Sequence, residues 1–413
     1  MDQKPLLYLV PGYIGSLKYF AKLAPYLSQY FQIEFLIVRR CDNHRKQMEE
    51  YLKENKYIYY IVDSGLKYSG IRIPFFTPIF GYVAQILSVR KFLKENKPRK
   101  IVLAKNLPPH HTIVKEANRL SVYTIMLQWS YGGNKEVSKM NIKKLPRFQK
   151  FYYNIVDWLY NVVDFILGGT SYVNSLGTID KVGVMNEEAI EVIEDRCGIP
   201  PEKMKLVGIV DHQIIHELKE RVEKDGSFKK SLESKYNITP KKKTILVLVW
   251  GLHKRKRWGF SVEEHLDYFR SMVESIRKSF PKDNTDVVLK LHPGDDVTLY
   301  DSFKDLSVKI FGDEAETEEL LCISDLCILD PWTAANIWVI ASGIPVMFIN
   351  YSRLDAINVG KELYKLKKVT TSKEEFESLL NKFKSGEFES QYNERDIDIH
   401  AIDKTIALIQ GEN

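Results

Sequence analysis

The 413-residue chain is 44% hydrophobic and 28% charged, enough apolar surface for two cores and too much for a disordered polypeptide. Its net charge of +6, from 60 basic and 54 acidic residues, is a mild surplus that suits an anionic ligand or membrane surface and lacks the concentration expected of a nucleic-acid binder. The cysteines Cys41, Cys197, Cys322 and Cys327 are too scattered for a disulfide framework or a zinc site, and Met1 is followed by no charged n-region, long apolar run or cleavage site, so a cytoplasmic, non-spanning protein is expected.

Strands alternate with helical stretches along the whole chain, the pattern of βα units and a parallel sheet. Leu6 to Val10 reads as a strand, Gly12-Tyr13-Ile14-Gly15-Ser16 as a glycine turn and Leu17 to Tyr30 as a helix. The turn is GxxGS, short of the dinucleotide fingerprint, and Gly12, Gly15 and Ser16 are expected to bring backbone close to an acceptor. Ile33 to Val38 and Tyr57 to Val62 follow as strands, with a charged helix from His44 to Glu54 between them. A helix from Pro78 to Lys94 precedes the strand Ile101 to Ala104. Within residues 72–97 an apolar, aromatic run is flanked by Arg72, Arg90, Lys91, Lys94 and Lys97, as in a core helix or in a peripheral contact with the inner face of the cell membrane. The loop Lys105 to Thr112, containing Pro108-Pro109-His110-His111, opens a helix to Arg119, and Tyr123 to Gln128 is the next strand. Residues 148–168 read as an apolar helix with a narrow polar stripe (Lys150, Asn154, Asp157, Asn161, Asp164), expected to be buried or to face a partner. The strands Lys181 to Met185 and Met204 to Val207 flank a helix from Glu187 to Asp195.

These elements make a first domain over residues 1–210, and the charged, strandless stretch 211–243 reads as the connection to a second domain over 244–390. That domain has strands at Thr244 to Trp250, Val287 to Leu291, Val308 to Phe311, Leu326 to Leu329 and Pro345 to Ile349. Helices are expected over Val262 to Ser279, Glu316 to Cys322 and Ala334 to Ala341. A C-terminal segment, 391–413, has a helix from Asp396 to Ile409 to pack back on the first domain.

Polar residues stand where buried strands stop, which in an open parallel sheet is the carboxyl edge, where ligands bind. One strand delivers Lys290 and His292 there; another ends at Asp330, and Thr333 is placed to cap the following helix. A phosphate or diphosphate fits between them. The run His253-Lys254-Arg255-Lys256-Arg257 follows the first strand of the same domain, either as a solvated turn or as cations neutralising a leaving diphosphate. Asp295 and Asp296 read as solvated, with no metal expected.

On these residues the chain resembles the GT-B superfamily of nucleotide-sugar-dependent glycosyltransferases: an α/β fold of two Rossmann-like domains facing across a cleft. Its second domain resembles teichoic-acid-type CDP-glycerol transferases, bacterial sialyl- and Kdo-type transferases and hydrolysing UDP-N-acetylglucosamine 2-epimerases. The resemblance implies that His292-Pro293, the Asp330-Pro331-Trp332-Thr333 turn and the strand entry Gly343-Ile344-Pro345 bind donor phosphates, joined by His253, Arg255, Lys256 and Lys290. It departs from the epimerases, whose Gly-Asp-x-Ser turn is absent and whose catalytic glutamate is matched by Gln128, and from retaining enzymes with Glu-x7-Glu, since Trp338 takes the second carboxylate's place.

The implied activity is an inverting, metal-independent transfer of a sugar from a nucleotide-sugar donor to a hydroxyl of a saccharide or lipid-linked acceptor, in cell-envelope polysaccharide or glycolipid assembly and without a cofactor. Such a transfer needs a general base on the acceptor side, and the candidates are His110 and His111, with Asp63 and Glu116 behind them. Two alternatives stand beside it: a CDP-glycerol-type polyol-phosphate transferase, and a non-catalytic nucleotide-sugar-binding or scaffold protein.

Overall fold

A computed structural model describes residues 4–38, 43–62, 76–104, 110–128, 178–197, 199–251, 261–292, 295–331, 333, 335–350, 366–392 and 398–411. It divides into two compact units, Met1–Val210 with His400–Asn413, and Asp211–Ile399.

The first unit holds β1 (Leu6–Val10), β2 (Gln32–Val38), β3 (Tyr59–Val62), β4 (Lys100–Leu103), β5 (Tyr123–Leu127), β6 (Lys181–Val184) and β7 (Met204–Leu206). They form one parallel sheet in the order β3-β2-β1-β4-β5-β6-β7. Leu7, Leu9, Leu36, Ile37, Ile101 and Val102 are fully enclosed, because a parallel sheet is covered on both faces and its strands are apolar at successive positions rather than alternate ones. The unit's described helices include α1 (Ile14–Leu27), α2 (Asn43–Glu54), α3 (Phe76–Asn96), α4 (His111–Arg119) and α5 (Glu187–Cys197). Each fully buried aliphatic side chain contributes roughly 1.5–3 kcal/mol, which makes this layer the main source of the unit's stability.

In the second unit β8 (Lys243–Leu248), β9 (Thr285–Lys290), β10 (Val308–Phe311), β11 (Leu326–Leu329) and β12 (Val346–Phe348) pair in the parallel order β10-β9-β8-β11-β12. Its helices include α6 (Val210–Lys224), α7 (Gly226–Lys235), α8 (Val262–Ser279), α9 (Thr317–Cys322), α10 (Asn336–Ser342) and α11 (Lys373–Ser385). Ser261 and Glu264 close a reciprocal capping box at the start of α8, a signal written in the sequence as Ser-x-x-Glu. Gly343 ends α10 at φ +65, a left-handed turn that a β-carbon would strain.

The stretch read as a connection is instead helical. Apart from the buried Asp211, its charged residues are exposed or half-buried, while Ile215, Val222, Leu232, Tyr236 and Ile238 are buried. Lys219 donates to the carbonyl of Ser342 at 2.7 Å, and Lys235 and Tyr236 both bond Glu319 on α9, so both helices belong to the second unit. The last helix, α12 (Ala401–Gln410), packs against α1 and β6 of the first unit. A β-carbon at Gly183 in β6 would lie 2.7 Å from a Leu127 methyl and 3.0 Å from one of Leu408, so the glycine permits that close approach. Among the described residues no helix is long and apolar enough to cross a membrane.

Candidate functional site

Each sheet reverses its strand order once, between β1 and β4 in the first unit and between β8 and β11 in the second. Connections leave such a point toward opposite faces, so the crevice at the carboxyl ends of those two strands is where an open α/β sheet takes a ligand. In the second unit Val249, Trp250 and Gly251 follow β8, and Asp330, Pro331 and Thr333 follow β11.

Asp330 is buried, and its Oδ2 accepts from the Asn350 amide at 2.7 Å. Asn350 is held in turn by its backbone N–H on the Thr370 carbonyl, 2.9 Å away. The carboxylate is therefore fixed at the edge rather than swinging in solvent. Thr333 does not cap the helix directly as its sequence position predicts: α10 begins at Asn336 with Ala335 as its N-cap, and the Thr333 hydroxyl accepts from the Ala335 N–H at 3.4 Å. The physical reason is the turn, in which Thr333 N–H donates to Asp330 and Asn336 N–H to Thr333. Asn336 is fully buried with its Nδ2 on the Pro331 carbonyl at 2.8 Å, which fixes which way its amide points.

Lys290, the last residue of β9, is buried, with its ammonium 3.2 Å from the Leu291 carbonyl. His292 is half-buried two residues beyond, its carbonyl accepting from Asp295 N–H at 2.9 Å. Beneath this turn the Tyr300 hydroxyl lies 2.6 Å from Nε2 of His265 and donates toward Asp295 at 3.5 Å. Burial, with the Asp295 charge and hydrogen bond adding to it, pushes the Tyr300 phenol far up, so it stays protonated as a donor. Asp296 is occupied as a cap, accepting from the N–H and hydroxyl of Thr298 at 2.9 and 2.7 Å. His253, Arg255 and Lys256 lie outside the described residues.

In the first unit His110 is fully enclosed, and its Nε2 donates to the Pro11 carbonyl at 3.1 Å. That bond joins the turns following β1 and β4, across the switch point itself. Ser16 is likewise enclosed: its hydroxyl accepts from Gly12 N–H at 2.8 Å and Tyr13 N–H at 3.1 Å and donates to the Tyr13 carbonyl. The GxxGS turn is thus closed on itself. Of the residues expected to face an acceptor, Gly12 spends its N–H on the Ser16 hydroxyl and Gly15 lies inside α1. Glu116 is committed to Arg90 through two bonds of 2.7 and 3.1 Å and to Arg119 at 3.5 Å. Gln128 accepts from Met185 N–H at 3.0 Å, tying β5 to β6. His111 starts α4, but its side chain and Asp63 lie outside the described set.

Sequence reading missed Asn350, Asn336 and Trp250. The first two were detectable as polar residues that end an apolar strand or open a helix at the carboxyl edge. Trp250 reads as core, yet its indole N–H is buried at the end of β8 with no hydrogen-bond partner among the described residues, an uncommon state for a buried donor.

No protein-family model matches this sequence, and no curated protein sequence is significantly similar to it. Solved structures do match over nearly the whole chain. UDP-GlcNAc 2-epimerase from Neisseria meningitidis, bound to UDP-GlcNAc, is 15% identical with a TM-score of 0.60, the match covering 99% of this chain and 100% of that one. The UDP-GlcNAc 2-epimerase from Methanocaldococcus jannaschii has the same TM-score at 11% identity, with 98% and 99% covered. The wall teichoic acid polymerase TagF, soaked with CDPG, matches at 12% identity and a TM-score of 0.52, with 98% and 88% covered. The chain has a GT-B-like fold. Within the GT-B-like fold both Rossmann-like units are present, and the identities support the fold alone.

Proposed function

We propose that the protein is a nucleotide-sugar-dependent glycosyltransferase that inverts the anomeric centre and needs no metal. The observation that carries this reading is the carboxyl edge of the second sheet, where His292, Asp330 and Thr333 come from strands on either side of β8. The donor diphosphate sits there on His292 and Thr333, with His253, Arg255, Lys256 and Lys290 supplying positive charge. Its likeness in fold to an epimerase holding UDP-GlcNAc supports a sugar nucleotide as the donor.

In the proposed reaction the acceptor hydroxyl oxygen bonds the anomeric carbon as the bond from that carbon to the diphosphate breaks. The electron pair leaves with the diphosphate, where cations stabilise it. The hydroxyl proton passes to a base on the first unit. We assign that base to His111 and give His110 the task of locking the turn, because His110 is enclosed and bonded to Pro11 while Glu116 is held by two arginines. Gln128, with its amide on Met185 N–H and no titratable proton, favours transfer over epimerisation. The acceptor is a saccharide or lipid-linked hydroxyl used in envelope assembly, reached at the inner face of the membrane with residues 72–97 as the contact.

The likeness to TagF with CDPG supports a second reading, transfer of a polyol phosphate, and the leaving group separates the two. Incubation with sugar nucleotides and saccharide acceptors in EDTA should release a nucleoside diphosphate in proportion to added acceptor. Release of CMP from CDP-glycerol would establish the second reading. Diphosphate release only after magnesium or manganese is restored would refute metal independence, and no product from any donor would leave a binding protein.

A further inference from the structure

The amino-terminal edge of the first sheet, opposite the edge bearing Pro11 and His110, holds a cavity of about 910 Å³, within the usual size for a small-molecule site. It opens where β1, β4 and β5 begin and where α3 ends. Lys94, Lys97, Arg99 and Lys100 line it together with apolar surface such as Leu93 and the ring of Tyr123, and no carboxylate is among the lining residues. The side chains of Lys94, Lys97 and Arg99 make no hydrogen bond or ion pair among the described residues, and all three are exposed. Lys100 is half-buried at the base; its ammonium bonds the last carbonyls of α12, Ile409 and Gln410, leaving its third N–H uncommitted. It also lies over the rings of Phe31 and Tyr123, at 5.9 and 5.5 Å from their centroids.

The carboxyl ends of α3 and α12 point to this edge and account for part of the charge, since cations complement helix C-termini. They offer about half a negative charge each against four cations. Burial, and then the Arg99 charge, push the Lys100 ammonium down from its ordinary value, as expected where positive charge is in excess. An anion is what the cluster lacks, and the apolar wall calls for one carried on a nonpolar body.

We propose that this cavity binds a phosphate group borne on an apolar body, with Lys94, Lys97 and Arg99 around the phosphate and Lys100 beneath it. Arg99 gives planar, two-pronged recognition of the oxygens, and the lysines act as point charges. The site is independent of the chemistry assigned to the second unit. Its ligand is either a free phosphorylated molecule or the headgroup of an anionic lipid.

The full chain is titrated with phenyl phosphate by calorimetry and sedimented with vesicles of 3:1 phosphatidylcholine:phosphatidylglycerol, with pure phosphatidylcholine as control. The same is done for Lys94→Gln/Lys97→Gln, whose exposed positions leave the core intact, and for Arg99→Gln. We expect binding to at least one probe, weakened tenfold or more in both variants. Binding of phenyl phosphate alone identifies a free ligand. Binding of the mixed vesicles, competed by phenyl phosphate, identifies a lipid headgroup. Absence of binding to either probe, or binding that both variants retain, overturns the site.

Discussion

A carbonyl oxygen only accepts, so in the bond from His110 to Pro11 the ring donates through a proton on Nε2. Enclosed as it is, His110 does for the two turns at the first switch point what Ser16 does for the glycine turn. The adjacent histidines should therefore separate experimentally. Replacing His110 with alanine opens a buried cavity and strands a carbonyl, and should lower stability by about 2–5 kcal/mol. Replacing His111 should leave melting nearly unchanged and cut kcat by roughly 10² to 10⁴ with donor affinity intact. Thermal melts and acceptor-dependent kinetics on both variants decide it; near-normal kcat in His111→Ala would return the search to Asp63.

At the scale of the element, one carboxylate reinforces the strand ladder in the outer part of the second sheet. Asp286 in β9 accepts from the Lys309 ammonium of β10 at 2.6 Å and from Thr239 N–H at 2.6 Å, and so joins two strands to the segment entering β8. Burial alone raises its pKa, but the Lys309 and Thr239 bonds more than offset that and hold it below the ordinary value of 3.8. A carboxylate depressed in the fold stabilises it fully above its unfolded pKa, and that stability is lost as pH falls through the folded value. Asp286→Asn should thus cost about 1–3 kcal/mol at neutral pH, and its gap to the parent should narrow as melting is followed down through pH 4 to 2. A gap that stays constant over that range would show that Asp286 acts by packing instead. The strand containing Asp286 was legible as an apolar run, and this role was not. Periodicity identifies an element by its own residues, whereas Lys309 and Thr239 lie 23 and 47 positions away. The same limit hid α6 and α7, whose charge density reads as a connection until Glu319 and Ser342 are seen to hold them.

For the whole molecule, both sheets were readable because parallel strands are enclosed on two faces and announce themselves as short apolar runs such as Val287-Val288-Leu289. Strand order follows from chain order only where crossovers continue in one direction, so the two reversals, and with them the crevices, came from the structure. His292 and Asp330 were legible as strand-end residues, and Asn350 could have been, but its bond to Asp330 was not, because the two residues end different strands. Thr333 was expected two residues too close to its helix, because the turn that Asn336 closes intervenes. The central claim is that the carboxyl edge of the second sheet binds a nucleotide through its phosphates. Thermal melting of the parent protein and of His292→Ala against UDP, CDP, CMP and GDP tests it, since a ligand bound to the native state raises the melting temperature. The account predicts a concentration-dependent rise with at least one nucleoside diphosphate and an affinity weaker by about 1–3 kcal/mol in the variant; no rise with any of the four, or the same rise in a folded His292→Ala, would contradict it.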